Sequence, residues 1–186
     1  MTQPPRIPHD WLQPQWPAPA GVRALCTTRA GGVSTGPCAS LNLGSHVGDD
    51  PSAVQANRQR LQAVVQGATP GARAVFLNQV HGTAVATINP ATPDGTEADA
   101  CVATQPGAVC TIMVADCLPV LLAHGSGAVV GAAHAGWRGL AGKGGVGVLE
   151  EVFERFKALA LSDKALAAIK NEANRMLAAH TMAWLG

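Results

Sequence analysis

The middle of the chain places the tightest limit on its fold. Six short apolar runs follow one another there: Ala74 to Val80, Thr83 to Ile88, Ala100 to Thr104, Ala108 to Val114, Leu118 to Leu122 and Ala128 to Ala133. Gly, Pro, Asp and Asn separate them, as turn residues separate strands. Several runs are continuously apolar instead of alternating, which predicts strands buried on both faces of a sheet. They are shorter than a typical helix of about ten residues or more, and this favours strands over buried helices.

Different patterns flank this region. The first 20 residues carry six prolines and predict an extended arm over 1–20. Val22 to Thr28 reads as a first strand, and a Gly- and Ser-rich loop follows from Arg29 to Asp50. Pro51 to Val65 predicts a helix with Asp50 as its cap and Val54, Leu61, Val64 and Val65 on its apolar face. From Val148 to Leu185 there is neither Gly nor Pro, and this predicts a helical segment over 148–185. Val148, Leu149, Val152, Phe153, Phe156 and Ala160 mark the apolar face of one helix. Ser162 caps a second, with Leu166, Ile169, Ala173 and Leu177 inward.

The length of 186 residues suits a single domain. A net charge of +1 argues against a nucleic-acid partner, which would call for a basic excess. No apolar run reaches the roughly 18 residues needed to span a membrane. The N-terminal stretch lacks the apolar core of a signal peptide, so a cytoplasmic location is expected. The five cysteines are an odd count without any CxxC pair. That argues against a disulfide framework and against zinc-ribbon or thioredoxin chemistry.

Three apolar runs end in a metal-ligand type: AVFLNQVH at His81, TIMVADC at Cys117 and AVVGAAH at His134. If each run is a strand, each ligand sits at or just past a carboxyl end, where sites in sheets with helical crossovers form. Two His and one Cys can hold zinc and leave a fourth position open for water, whose pKa the metal lowers toward neutrality. The gaps of 36 and 17 residues match no local zinc motif, so inert core residues explain the pattern as well. Asp116 beside Cys117 is less easily dismissed, because a charge at the end of an apolar run rarely stays unpaired.

HAGWRGLAGKGG, from His134 to Gly145, sets glycines and Arg138 between a strand and a helix, a plausible anion site. It is not a Walker A loop, since Gly136 and Gly142 are one residue too far apart. RAGGVSTG, from Arg29 to Gly36, repeats the arrangement more weakly.

At these residues the chain resembles the bacterial YfiH-like family, also called the laccase-domain or DUF152 family and formerly described as polyphenol oxidases. The matching stretches are WPAPAGVRALCTTRAGGVSTGP, SLNLGSHVGDDPSAVQANRQRL, FLNQVHG, ADACVATQPGAVCTIMVADCLPVLL and AAHAGWRGLAG. They run collinearly from about Trp16 to about Gly145. The resemblance implies an α+β fold of mixed β-sheets flanked by helices, in a single YfiH-like domain over 1–186 that lacks the family's C-terminal part. It implies that His81, Cys117 and His134 match the family's metal ligands, usually for zinc and sometimes for copper. It also implies phosphorolysis of adenosine, inosine and methylthioadenosine and deamination of adenosine, with purine nucleoside and phosphate as partners. Arg29 and Arg138 fall in its TTRxGG and HAGWRG motifs, which strengthens their reading as phosphate-binding residues.

The leading expectation is therefore a zinc-dependent purine nucleoside enzyme with His81, Cys117, His134 and Asp116 at its catalytic centre. The signature of zinc nucleobase deaminases is absent, so proton transfer would fall to another group, with Asp116, Asp99 and His46 as candidates. A copper-dependent polyphenol oxidase is one alternative, since two His and one Cys also suit copper. A cysteine hydrolase using Cys117 as nucleophile is another. A purely structural metal would need a fourth protein ligand, for which His124 and Cys110 are the nearby candidates.

Overall fold

The computed structural model describes residues 6–162 and 181–185. It is α+β, with mixed sheets and helices as expected. The elements run α1 (Pro51–Ala68), β1 (Arg73–Phe76), β2 (Val85–Ile88), β3 (Ala100–Ala103), β4 (Ala108–Thr111), β5 (Leu118–His124), β6 (Val130–Ala135), α2 (Trp137–Ala141), α3 (Val148–Ser162) and β7 (Thr181–Leu185). They pack as two compact units, and the division falls within β1. The first unit holds residues 1–14 and 24–74, and the second holds 15–23 and 75–186.

In the first unit α1 forms where its sequence predicts it. Asp50 accepts from the Ser52 N–H at 2.9 Å, Pro51 opens the first turn, and Val54, Leu61, Val64 and Val65 are buried. The fully buried Asn57 ties the preceding loop to this helix. Its Oδ1 accepts from the Val33 N–H, and its Nδ2 donates to Ser34 Oγ and to the Ser40 and Asn42 carbonyls. A buried amide with every bond made holds an irregular loop that has no ladder of its own. Val22 to Thr28 is not a strand. Its backbone meets another segment only at Cys26, which bridges Leu12. From Arg6 to Ala20 the chain forms neither helix nor regular strand, although Trp11 is buried.

The second unit is built on a five-stranded sheet in the order β2-β3-β6-β5-β7, and a two-stranded sheet pairs β1 with β4. The β2–β3 pair is parallel, while β3–β6, β6–β5 and β5–β7 are antiparallel. The larger sheet is buried on both faces, as the continuous apolar runs require. On one face α3 presents Val148, Val152, Phe156 and Ala160 to Ala100, Val102, Val120, Leu122 and Ala133. On the other, Cys101, Ala103 and Ala132 pack with Val75, Leu77 and Ile88. The period of two along each strand sorts these residues between the faces.

The α2–α3 junction depends on two glycines, Gly142 at φ +59° against the Val146 carbonyl and Gly147. A side chain at Gly147 would begin 2.3 Å from the Leu140 carbonyl oxygen, so only glycine lets the backbones meet there. Its N–H is held by Glu150 Oε2 at 3.0 Å, one half of a capping box.

The predicted helical segment is correct over Val148–Ser162 but not at its end. Thr181–Leu185 is a strand, registered on β5 from Val120↔Leu185 to His124↔Thr181. The expected second helix, with Leu166, Ile169, Ala173 and Leu177, lies outside the described residues. No helix among the described residues is long and apolar enough to cross a membrane.

Phe156 is the largest fully buried side chain. Phe156→Ala should lower the unfolding free energy by about 3–5 kcal/mol, because the lost transfer energy adds to a cavity against the sheet. Urea denaturation should show the loss as a lower midpoint. Phe153→Ala, at a half-buried position on the same helix, should move the midpoint much less.

Candidate metal centre

Three adjacent strands align the site through their register. Ala100 pairs with Ala133, so Asp99 comes opposite His134, and the His134 N–H donates to the Asp99 carbonyl at 2.7 Å. Leu118 pairs with Ala135, which brings Cys117 beside Gly136. By strand alternation Asp99, Cys117 and His134 share the face opposite α3. His81 arrives on the loop between β1 and β2.

The ligand atoms of His81, Cys117 and His134 all lie within 4.8 Å of one another, and Cys117 Sγ is 3.9 Å from His81 Nε2. Nitrogen and sulfur ligands of one tetrahedral zinc, bound at about 2.0–2.3 Å, sit roughly 3.3–3.7 Å apart. Side-chain shifts of under about 1 Å would close the group on a single cation. The donor chemistry fits as well, since two imidazoles and a thiolate suit zinc or copper. His134 is buried, Cys117 half-buried and His81 exposed, so the centre is open on the His81 side. Neither His124 nor Cys110 joins the group, and no fourth His, Cys, Asp or Glu does among the described residues. Such an open position belongs to reactive zinc sites, whereas structural ones are closed.

The expected placement at strand carboxyl ends holds only for His134, inside the last turns of β6. Cys117 directly precedes β5, because β4 stops at Thr111, and His81 lies five residues beyond β1. The apolar run through Val114 continues as loop, not as ladder.

Asp99, one of the groups considered for proton transfer, joins the loop of His81 to the ring of His134. The carboxylate is fully buried. Oδ1 accepts from the His81 N–H at 2.8 Å and from His134 Nδ1 at 3.0 Å. Oδ2 accepts from the Val80 N–H at 3.2 Å and the Gly82 N–H at 2.7 Å. Four donors satisfy the one buried carboxylate. The bond to Nδ1 fixes the His134 tautomer and turns Nε2 toward the cation position. The three successive N–H bonds hold the 80–82 loop in place, with His81 at φ +61°, a left-handed conformation that costs a non-glycine residue about 1 kcal/mol or more.

Two further residues shape the centre and escaped the sequence reading. Gln79 pairs with the Met113 backbone at both ends: Nε2 donates to the carbonyl and Oε1 accepts from the N–H, each at 2.8 Å. This clips the His81 loop to the loop that leads into Cys117. At Gly136 a side chain would begin 2.9 Å from Cys117 Sγ and 3.1 Å from His81 Cδ2, so the backbone itself forms a wall of the site.

Asp116 is exposed, and its Oδ1 accepts from the Cys117 thiol at 3.6 Å. Partial burial first, then this hydrogen bond and the charges of Asp116 and Asp99, push the Cys117 thiol above its ordinary range. A nearby divalent cation reverses that balance and binds the thiolate. His46 is exposed in the first unit.

The two arginines differ. Arg138, on α2, is exposed with its guanidinium 4.4 Å from the Trp137 ring centroid, and its side chain makes no hydrogen bond or ion pair among the described residues. Arg29, in the first unit, donates through Nε (2.8 Å) and Nη2 (2.6 Å) to the Ala39 carbonyl, and through Nη2 to Pro37.

The sequence profile of the multi-copper polyphenol oxidoreductase laccase family matches residues 23–171. The chain belongs to this family. It is 54% identical over 140 residues to purine nucleoside phosphorylase PA4543 of Pseudomonas aeruginosa, covering 75% of this chain and 53% of that protein. It is 50% identical over 145 residues to purine nucleoside phosphorylase YfiH of Escherichia coli K12, covering 78% and 57%. The chain thus spans about half the length of these relatives. The crystal structure of Neisseria meningitidis protein NMB0706, of family DUF152, superposes with a TM-score of 0.75 at 42% identity, over 95% of this chain and 62% of that one. YlmD from Geobacillus stearothermophilus superposes with a TM-score of 0.73 at 28% identity, over 99% and 64%.

Cys117→Ala should abolish stoichiometric zinc binding, while Cys26→Ala, Cys38→Ala and Cys110→Ala should retain it, since only Cys117 lies in the ligand group. Asp99→Asn should weaken zinc roughly 10- to 100-fold without removing a ligand. Zinc titration against a competing chelator reads both effects, and full affinity in Cys117→Ala would place the metal elsewhere.

Proposed function

We propose that the chain is a zinc-dependent purine nucleoside enzyme that cleaves adenosine, inosine and methylthioadenosine with phosphate and also deaminates adenosine. The observation that carries this reading is the open His81–Cys117–His134 group in a family with members named purine nucleoside phosphorylase. A bound zinc would supply Lewis acidity at the open position.

In phosphorolysis a phosphate oxygen bonds to the ribose C1′ as the C1′–N9 bond breaks. The base leaves with a proton, and ribose 1-phosphate remains. Arg138, whose guanidinium lies over the Trp137 ring with its hydrogen-bond donors unused among the described residues, holds the phosphate in line. Arg29 is a second candidate for the anion, through the end of its guanidinium that the Ala39 carbonyl does not occupy. In deamination a water oxygen replaces the amino group at C6, and ammonia leaves. Asp116 moves the proton in this reading, which its exposure beside Cys117 supports. Asp99 and Gln79 hold the ligands and take no part in the proton transfer.

The family's name, multi-copper polyphenol oxidoreductase laccase, favours a second reading, a copper polyphenol oxidase. Two His and one Cys suit copper. Four-electron oxygen reduction ordinarily uses several coppers, however, and the described residues supply one three-ligand group. A cysteine hydrolase is less favoured, because the surroundings of Cys117 disfavour the thiolate in the absence of a cation.

Metal analysis of the purified protein, with an adenosine assay run with and without phosphate, separates these readings. Zinc content with phosphate-dependent ribose 1-phosphate formation supports the first. Copper, a blue thiolate band and phenol oxidation would replace it with the second. Arg138→Ala should cut ribose 1-phosphate formation roughly 10- to 150-fold, the loss of one charge-assisted contact of about 1.5–3 kcal/mol. Deamination needs no phosphate and should fall much less. Equal loss of both activities would assign Arg138 to the nucleoside or the fold.

A further inference from the structure

We infer that Gly139 is a positioning residue for the metal centre: because it lacks a side chain, α2 seats on the loop that carries His81 and holds that ligand in place. The inference rests on the metal reading above. His81 is the ligand most in need of such support. Strand register aligns His134 and Cys117, whereas His81 stands outside the strands at φ +61°. Asp99 gathers the Val80, His81 and Gly82 N–H groups, which leaves the carbonyl side of Gly82 to be held by another group.

Two glycines three positions apart on α2 meet that loop, and residues at this spacing share a helix face. A side chain at Gly136, the N-cap, would begin 3.1 Å from His81 Cδ2. One at Gly139 would begin 2.9 Å from the Gly82 carbonyl oxygen, too close for any Cβ beside a backbone atom. Gly139 is buried and helical, with no positive φ. Space therefore demands glycine there, and conformation does not. Alanine would serve the helix itself better, so the contact with Gly82 outweighs local propensity. The core in turn backs α2. Gly147 lies against the Leu140 and Gly139 carbonyl oxygens, and the next residue, Val148, is fully buried against the sheet. A line of backbone contacts thus runs from the sheet through the start of α3 and through α2 to Gly82, whose N–H returns to Asp99 at the edge of β3. The His81 loop is closed between a buried carboxylate and a helix anchored in the core.

Gly139→Ala should weaken zinc roughly 10- to 100-fold in titration against a competing chelator, as the loss of an outer support to a ligand does. The visible bands of the cobalt(II)-loaded protein should shift as well, since they report ligand geometry. Leu140→Ala, at an exposed neighbour on the same helix, should change neither. Unaltered zinc affinity in Gly139→Ala would overturn the inference, and so would an equal loss in Leu140→Ala. If Gly139→Ala does not fold, amide exchange of the unaltered zinc-free protein decides. The His81 and Gly82 N–H groups should exchange no faster than those of Leu140 and Gly142, which close α2 onto the Gly136 and Arg138 carbonyls. Faster exchange in the loop would show that it opens while α2 stays, and would overturn the seat. An unaltered protein that takes up neither zinc nor cobalt would overturn the metal reading instead, with the exchange result still judging the seat.

Discussion

The buried carboxylate of Asp99 is the interaction on which the rest of the centre depends. One charge at the start of β3 collects three N–H groups from the 80–82 loop and the ring of His134. An uncompensated carboxylate at that depth would be prohibitive, so the loop and the ring cannot drift independently of it. The loop carries His81 and the ring belongs to His134. Two of the three ligands are therefore fixed by one acceptor, and β5 fixes the third through its register with β6. Gly136 and Gln79 complete the constraint, the first by letting the backbone approach Cys117 and the second by joining the loops that carry His81 and Cys117.

Local chemistry made much of the fold legible. The α1 helix carries its cap, its proline and its period together, and nothing distant opposes them. The six apolar runs became β1 to β6 because each was short, apolar and bounded by turn residues. The errors lie where distant partners decide. Val22 to Thr28 has strand-forming residues, but its backbone forms a single isolated bridge, Cys26 with Leu12, and no ladder among the described residues. Thr181–Leu185 follows a helix-like composition, yet its backbone completes the ladder of β5. Long-range pairing overrode local propensity at both places.

The site was legible in its residue types and not in its wiring. His81, Cys117 and His134 stood out because ligand types ended apolar runs. Asp99, Gln79 and Gly136 act through backbone groups and through space that a side chain would fill. Neither leaves a mark in composition or periodicity. Asp99 was visible as a proton-transfer candidate and not as the acceptor that joins the His81 loop to His134, because its burial follows from a strand register that spacing in the sequence cannot reveal.

Burial across the centre then sets the direction of chemistry. His134 is buried, Cys117 is half-buried and His81 is exposed. The Asp99 carboxylate is matched by its own donors, so the His134 ring is fixed in orientation by its Nδ1 bond. The thiol of Cys117 is the group that must lose a proton on metal binding, because burial and the neighbouring carboxylates otherwise hold it protonated. The deep side of the centre is therefore committed to holding the ion. Asp116, beside Cys117, is exposed. The group is open on the His81 side, and the Gly136 backbone adjoins Cys117 without a side chain in between.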